Sequence, residues 1–378
     1  MGRSSRLYRQ LVATGLASSA GSSFSLSIDP YLFSVSATLV PTAEPQRVED
    51  IVFNEIERLG TEPVPDDELQ RAIKQLRAQF AYAAESVTSQ AYWLGSLQTV
   101  APEIDPDTFI ERITSVTPDD LLRVAATYLH ADNRTVGRLE PILPTGAPPT
   151  PAIDIHQARP AYYTDGHPIS DVPFVPSGTT PRLQLRERTL VNGVRLIGHH
   201  DPTSEAVVID MRIEAGAIAD GSMPGLARFT GQMLTRGTAR RDFAALNEEL
   251  DGLGAAISVG VGREHIDITG KALREDARRL VELMSEVVLQ PTFPEDEIER
   301  MREQSLNALR LALNDTRAAA AQALRSAIYP IGHPYHPRLV GTEETLRAMQ
   351  REHLERFHRT AYRPERAIIA IAEGVPVE

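Results

Sequence analysis

Cysteine is absent from all 378 residues. That excludes disulfide staples, thiol nucleophiles and cysteine-held zinc or iron–sulfur sites. It does not identify a compartment, because a cysteine-free chain suits both the cytosol and the outside. No run of about 18 apolar residues occurs, so no segment reads as a spanning helix. Basic residues are the minority: 39 Lys and Arg stand against 51 Asp and Glu, a net charge of −12, and no Lys/Arg run forms a nucleic-acid footprint. What is present is ordinary for a globular protein, 42% hydrophobic and 24% charged, which excludes wholesale disorder. The length exceeds one ordinary core and suits two domains.

Residues 1–25 carry two readings. A basic start (Arg3, Arg6) followed by Leu11-Val-Ala-Thr-Gly-Leu-Ala17 has the outline of a leader peptide. Thr14 and Gly15 interrupt the apolar stretch, however, and Leu7, Leu11 and Leu16 sit near helical spacing, which favours an amphipathic helix. Myristoylation fails because residue 6 is Arg rather than Ser or Thr.

Ten prolines fall between Pro141 and Pro181. Such a segment favours extended, polyproline-like backbone over a core element, so 141–183 reads as a linker between a front part, 1–140, and a rear part, 184–378. The two parts repeat one another. Residues 48–71 align with 277–300 without a gap at an offset of 229, placing Ile51 on Leu280, Glu57 on Glu286 and Pro65-x-Asp-Glu68 on Pro294-x-Asp-Glu297. Farther on, Leu122 matches Leu354 and Asn133-Arg134 matches Glu365-Arg366 at an offset of 232. A period this long marks a duplicated domain, since solenoid repeats run to roughly 20–50 residues.

Each copy has the same plan. Residues 33–39 and 265–271 alternate apolar with polar or small residues, as half-buried strands do. Two helices follow, the second opened by Pro65 or Pro294 with carboxylates behind it, which suits the missing N–H and the positive end of the helix dipole. A late helix, near 118–129 and near 343–358, precedes a final strand, clearest at Ala367–Ala372. The expected fold is α+β: two homologous two-layer domains, each a largely antiparallel sheet with helices on one face, joined by the Pro-rich linker. The rear copy starts near Arg186, so its counterpart would start roughly forty residues before Met1, and the chain reads as a piece of a longer protein.

Candidate chemistry is sparse. Gly252-x-Gly254 precedes a strand rather than a helix, so no helix N-terminus faces a phosphate, and a simple turn is the better reading. His199 and His200 point to opposite faces of a strand. His333 and His336 lie in a proline-punctuated loop, and His353 and His358, five apart on a helix, are separated by about 140°. No H-x-x-E-H, H-E-x-x-H or G-x-S-x-G string occurs. Asn133-Arg-Thr135 fits a glycosylation sequon, meaningful only outside the cell.

Residues 224–238, Pro224-Gly-Leu-Ala-Arg-Phe-Thr-Gly-Gln-Met-Leu-Thr-Arg-Gly-Thr238, resemble a helix of the pitrilysin/insulinase family of zinc metallopeptidases (mitochondrial-processing-peptidase-like), which usually reads G-L-A-H-F-x-E-H-M-L-F-x-G-T. Asn192-Gly-Val-Arg195, Phe293-Pro-Glu-Asp-Glu-Ile-Glu-Arg300, Gly332-His-Pro-Tyr335, Gly341-Thr342 and Tyr362-x-Pro364 are similar to further family motifs. Gly2-Arg-Ser-Ser-Arg-Leu-Tyr8 resembles the helix start of the family's second domain type. The resemblance implies paired α+β domains in two halves that close around a peptide. This chain would hold the second domain of a first half, the inter-half linker, and the first domain of a second half.

The departures decide what is expected of it. The family's two zinc-binding His and its general-base Glu fall on Arg228, Gln232 and Gly231, and its third ligand falls on Asn307 or Ala308. Arg228 also sets a fixed positive charge where a dication would sit. The expectation is therefore no catalytic or metal-binding residue and no cofactor in this chain, with zinc confined to a domain upstream. Its partners would be a peptide substrate and either that catalytic domain or an active homologous subunit. Neither nucleic acid nor a membrane span is expected, and the sequence leaves cytoplasmic and exported locations open. The leading function is a non-catalytic central portion that completes a peptide-binding chamber. The alternatives are a metal-free structural or partner subunit, and a zinc site of unrelated design at His199, His200, His333 or His336. Helical spacing further suggests that His at 228 and 232 would bind zinc at most loosely, that Glu at 307 or 308 would tighten it, and that Glu at 231 would supply the missing base, with hydrolysis still poor.

Overall fold

In the computed structural model, which describes residues 2–140 and 185–373 apart from 30, 41, 103, 331, 332, 334, 337 and 338, the front part opens with a single π-helical turn, Tyr8–Val12. The helix expected through Leu16 stops there. Gly15 takes a φ of +74°, open to glycine at no steric cost, and the chain turns into strand β1, Ala17–Ser23. This strand was not expected: its residues are Ala, Ser and Gly, and its order comes from antiparallel pairing with β2, Ser34–Leu39. Leu11, Ala17 and Val48 form a small core that Leu7 and Leu16 flank.

Among the described residues the front is completed by helices α1 (Pro45–Thr61), α2 (Asp66–Ala84), α3 (Val87–Val100), α4 (Pro106–Thr114) and α5 (Pro118–Tyr128). Local chemistry sets their starts. Asp66, Asp67 and Glu68 fill the first turn of α2, Ser86 accepts the Ser89 N–H to cap α3, and Thr117 with Asp120 forms a reciprocal capping box on α5.

The rear part contains strands β3 (Leu185–Thr189), β4 (Arg195–His200) and β5 (Ala206–Ile213), then helices α6 (Leu226–Met233) and α7 (Phe243–Leu253). Strands β6 (Ala256–Val261) and β7 (Ile266–Leu273) follow, then helices α8 (Ala277–Leu289), α9 (Glu295–Asn314) and α10 (Thr316–Ile328). The expected late helix is two: α11 (Glu343–Ala348) and α12 (Arg351–Ala361). The break falls at Met349, fully buried and extended, and Arg302 donates to the carbonyls of Leu346 and Met349 that the break frees. Strand β8, Ala367–Glu373, ends the part. The six strands form one sheet in the order β3-β4-β8-β5-β7-β6, antiparallel except for the β4–β8 pair.

The helices repeat as the strands do. Asp66 and Glu295 open α2 and α9, and Val87 and Thr316 open α3 and α10, each pair 229 residues apart. The fold is α+β, built from two homologous domains. On β7, Ile266, Ile268 and Ala272 are buried toward α8, whose Leu280, Leu283, Met284 and Val287 meet them. Each of the Ile, Leu, Met and Val side chains contributes about 1.5–3 kcal/mol, and Ala272 less.

Residues 1–130 and 184–378 make one compact unit. Helix α2 packs against α7, Lys74 pairs with Asp276 at 2.6 Å, and the Tyr82 hydroxyl donates to the Gly254 carbonyl at 2.9 Å. Gly254, left-handed at φ +61°, ends α7 as the turn reading expected; a Cβ there would lie 2.8 Å from that of Ala78. Residues 131–183 form a second unit, whose one regular element among the described residues is a turn of 3-10 helix, Ala131–Asn133. The Pro-rich segment 141–183 lies outside the described residues.

One buried charge ties α8 to the loop before α7. The Glu286 side chain is 6% exposed and accepts from the Thr238 hydroxyl and the Arg241 guanidinium, and Arg241 also reaches Glu249 at 2.6 Å. Burial would raise the Glu286 carboxyl, but these bonds outweigh it and hold it below its ordinary 4.5. Such a group stabilises the fold at neutral pH and loses its contribution as pH falls through its folded value. Glu286→Gln is predicted to cost about 1.5–3 kcal/mol at pH 7, with the gap to wild type closing below the ordinary carboxylate range; thermal melts of both proteins from pH 7 down to pH 3 check it.

Candidate functional site

Helix α6 sets the geometry of the site. Its first turn is held by Asp220, a carboxylate only 8% exposed that accepts the Gly225 N–H at 2.8 Å and the Ala227 N–H at 2.7 Å. Gly225 has a φ of +93°, and a Cβ on it would lie 2.8 Å from the Gly341 Cα, so the helix start rests directly on the 340–341 backbone. Ala227, Phe229, Thr230 and Met233 are buried, which leaves the four-residue spacing of Arg228 and Gln232 on the other side.

That side faces a groove of about 570 Å³. Arg228, Gln232 and Arg236 line it from α6 and the turn that follows, and Met301, Gln304, Ser305 and Ala308 from one face of α9. Residues 256–259 of β6, a strand at the edge of the sheet, form a third wall, and Gly2 and Arg3 of the front domain with Asp251 complete it. Arg236 is paired with Glu297 at 3.2 Å, and its guanidinium lies 4.7 Å from the Phe243 ring centroid. Burial lowers it below the ordinary arginine value, and the charge of Arg3, itself 5.1 Å from the same ring, adds to that.

Of the positions singled out in the sequence, Arg228, Gln232 and Ala308 share this groove. Asn307 is exposed and is not among the lining residues. Gly231 faces the sheet instead: a Cβ there would meet Val261 Cγ2 at 2.5 Å and Val259 Cγ1 at 3.4 Å. The expectation that Glu at 231 would fit beside a rebuilt His pair fails on this contact, because β-branched valines have little rotamer freedom with which to yield. The donors facing the groove do not fit zinc. They are a guanidinium, an amide and a methyl group, with neither imidazole nor carboxylate at the family's ligand positions.

The histidines are used locally. The His333 ring stacks on Tyr329 at 4.6 Å and its Nδ1 accepts the Tyr335 N–H; His336 donates to the Tyr329 carbonyl at 2.8 Å. Of the Gly332–Tyr335 motif, positions 332 and 334 lie outside the described residues. His353 accepts the Gln350 N–H, and His358 donates to the Val288 carbonyl with its ring held below its ordinary value by burial. His199 and His200 are consecutive on β4. Among the described residues no three His, Asp or Glu side chains come together in a set able to hold a metal ion.

Residues 195–343 match the model of Insulinase (Peptidase family M16), and residues 1–76 match that of the Peptidase M16 inactive domain. The chain belongs to the M16, or pitrilysin/insulinase, family. The inactive-domain stretch comes first and the insulinase stretch second. Among relatives of this M16 chain, an uncharacterized zinc protease of Mycobacterium leprae is 27% identical over 191 residues, which is 50% of this chain and 42% of that protein. The mitochondrial-processing peptidase subunit beta of Neurospora crassa is 26% identical over 203 residues, 53% of this chain and 42% of that one. A crystal structure of a peptidase M16 inactive domain from Pseudomonas fluorescens superposes with a TM-score of 0.49 at 25% identity, covering 51% of this chain and 47% of that one. The chain spans less than half the length of the curated relatives it matches.

Sequence reading missed Arg236 and Arg3. The first had a signal, four residues beyond Gln232 and eight beyond Arg228; the second had none, because Phe243 lies 240 positions away.

Two predictions follow from α6. Gly231→Glu is expected to destabilise by about 1–3 kcal/mol or more through overpacking against β6, read as a melting temperature several degrees lower. Burial pushes Asp220 up to about 6 against the pull of its two backbone N–H bonds. A carboxyl raised above its unfolded 3.8 binds its proton more tightly in the folded state, so it costs stability as pH rises from about 4 to about 6. Asp220→Asn, which does not titrate, should therefore gain on wild type across that interval and hold a constant gap above about pH 7; paired melts from pH 4 to 8 measure the sign.

Proposed function

We infer that this chain is the non-catalytic central portion of a two-half M16 peptidase, in which it completes a peptide-binding chamber. Residues 1–140 would be the second domain of a first half, 141–183 the inter-half linker, and 184–378 the first domain of a second, inactive half. The observation that carries this reading is the wall of the groove. Of the positions that would need imidazole and carboxylate, Arg228, Gln232 and Ala308 line it, Asn307 lies outside it and Gly231 is turned against β6, so the zinc-bound water on which the family's hydrolysis depends has nothing here to hold it.

Peptide binding needs none of those groups. An edge strand offers unpaired backbone N–H and C=O groups to an extended segment, and β6 brings its edge to the groove beside the amides of Gln232 and Gln304. The zinc-protease and processing-peptidase names of the relatives support a peptide as the ligand. Hydrolysis in the whole protein would fall to a family-type helix in a domain preceding this one.

Two measurements test the reading. The coding sequence ahead of Met1 should contain H-x-x-E-H, and its absence overturns the assignment. The chain by itself should leave a quenched fluorogenic peptide uncut with or without zinc. A metal chelator should move its melting temperature by less than about 1 °C, because a ligand shifts stability only where the native state binds it. Chelator-sensitive cleavage by the isolated chain, or a drop of several degrees, would count decisively against it.

A further inference from the structure

We propose that the α6–α9 groove selects acidic peptide segments, with Arg228 and Arg3 as the carboxylate-binding groups. The proposal rests on the peptide-binding reading above and names the chemistry that the site prefers.

The charge distribution points this way. The chain carries a net charge of −12, yet the described lining of the groove holds three arginines against a single carboxylate, Asp251. That carboxylate is engaged, accepting the Ser4 N–H at 2.8 Å. Arg228 is half-buried and, among the described residues, has neither an ion-pair nor a hydrogen-bond partner. Arg3 and Arg236 are held on one aromatic ring, 5.1 and 4.7 Å from the Phe243 centroid. Glu297 compensates Arg236 but is shared with Arg300, and Arg3 has no carboxylate of its own among the described residues.

Like charges gathered in a partly desolvated groove repel, and the repulsion is relieved when an anion arrives. Guanidinium is suited to that anion because its planar fork meets a carboxylate bidentately. Arg228 is fixed by α6, and Arg3 arrives from the front domain, so the two guanidiniums come from separate elements, as side chains spaced along an extended peptide would require. The volume of about 570 Å³ lies within the usual range of ligand sites, roughly 300–1,000 Å³.

The test is a fluorescence-anisotropy titration of the full chain with three fluorescein-labelled octapeptides, (Ala-Glu)4, (Ala-Gln)4 and (Ala-Lys)4. The Glu peptide is expected to bind about tenfold more tightly than the Gln peptide at low salt, and the Lys peptide least. Arg228→Gln and Arg3→Gln should each weaken the Glu peptide by about three- to tenfold, and Arg228→Glu by more, with Arg359→Gln, outside the groove, unchanged. Circular dichroism establishes that each variant is folded, and Arg3, exposed near the chain start, serves if a substitution at 228 disturbs α6. Ala308→Trp, which fills the groove, should block binding. Equal binding of the three peptides, all blocked by Ala308→Trp, would overturn the charge preference and leave the peptide-binding reading standing. A Glu preference unaltered by the Arg228, Arg3 and Ala308 substitutions would overturn this site. No binding of any peptide would overturn both.

Discussion

The close approach of helix α6 to strand β6 is the contact on which the groove depends. It is possible because position 231 has no side chain: any Cβ would lie 2.5 Å from Val261 Cγ2, well inside van der Waals contact distance. With the helix seated there, Asp220 anchors its first turn and Gly225 brings its start against Gly341. The direction in which Arg228 and Gln232 project is then no longer free. A helix lifted by even one methyl radius would lose the packing of Phe229 and Met233, both essentially inaccessible, at a cost of several kcal/mol.

Charge is distributed by a different rule in the framework and in the groove. Asp220 apart, which relies on two backbone N–H groups, the framework's buried and half-buried ionic groups are compensated: Glu286 by Arg241 and Thr238, Asp276 by Lys74, Glu297 by Arg236 and Arg300. Leaving any of these single would expose the fold to the large penalty of an isolated buried charge. The groove keeps Arg228 and Arg3 without such partners. Solvent access tolerates that, and it favours negative charge in a chain whose own net charge is −12.

Much of this was legible in the sequence because the signals are local. Pro65 and Pro294 with their trailing carboxylates and the alternation in 265–271 each report on a stretch shorter than a helix, the repeat is read by laying 48–71 directly on 277–300, and the fold has each element there. Strand β1 was illegible because Ala, Ser and Gly carry no period, and only its pairing with β2 orders it. The division between α11 and α12 was illegible for another reason. It depends on Arg302, some 44 residues upstream, bonding to carbonyls that a continuous helix would have satisfied internally. The site divides the same way: Arg228, Gln232 and Asn307 or Ala308 were named by resemblance to the family's helices, whereas Arg3 joins the groove through tertiary folding, and the orientation of Gly231 toward the sheet has no signal in the sequence.

The two sides of α6 answer to independent constraints. Inward, Ala227, Phe229, Thr230 and Met233 are fixed by a core in which a change of one methylene is felt. Outward, Arg228 and Gln232 touch a water-accessible groove, where a substitution alters chemistry at little cost to packing. Position 231 lies between the two regimes, sequentially beside a groove residue but sterically part of the sheet. For that reason the outer positions can carry imidazole, guanidinium or amide on the same scaffold, while a carboxylate at 231 requires β6 itself to change. The route from this groove to a metal site therefore runs through Val261 as well as through α6.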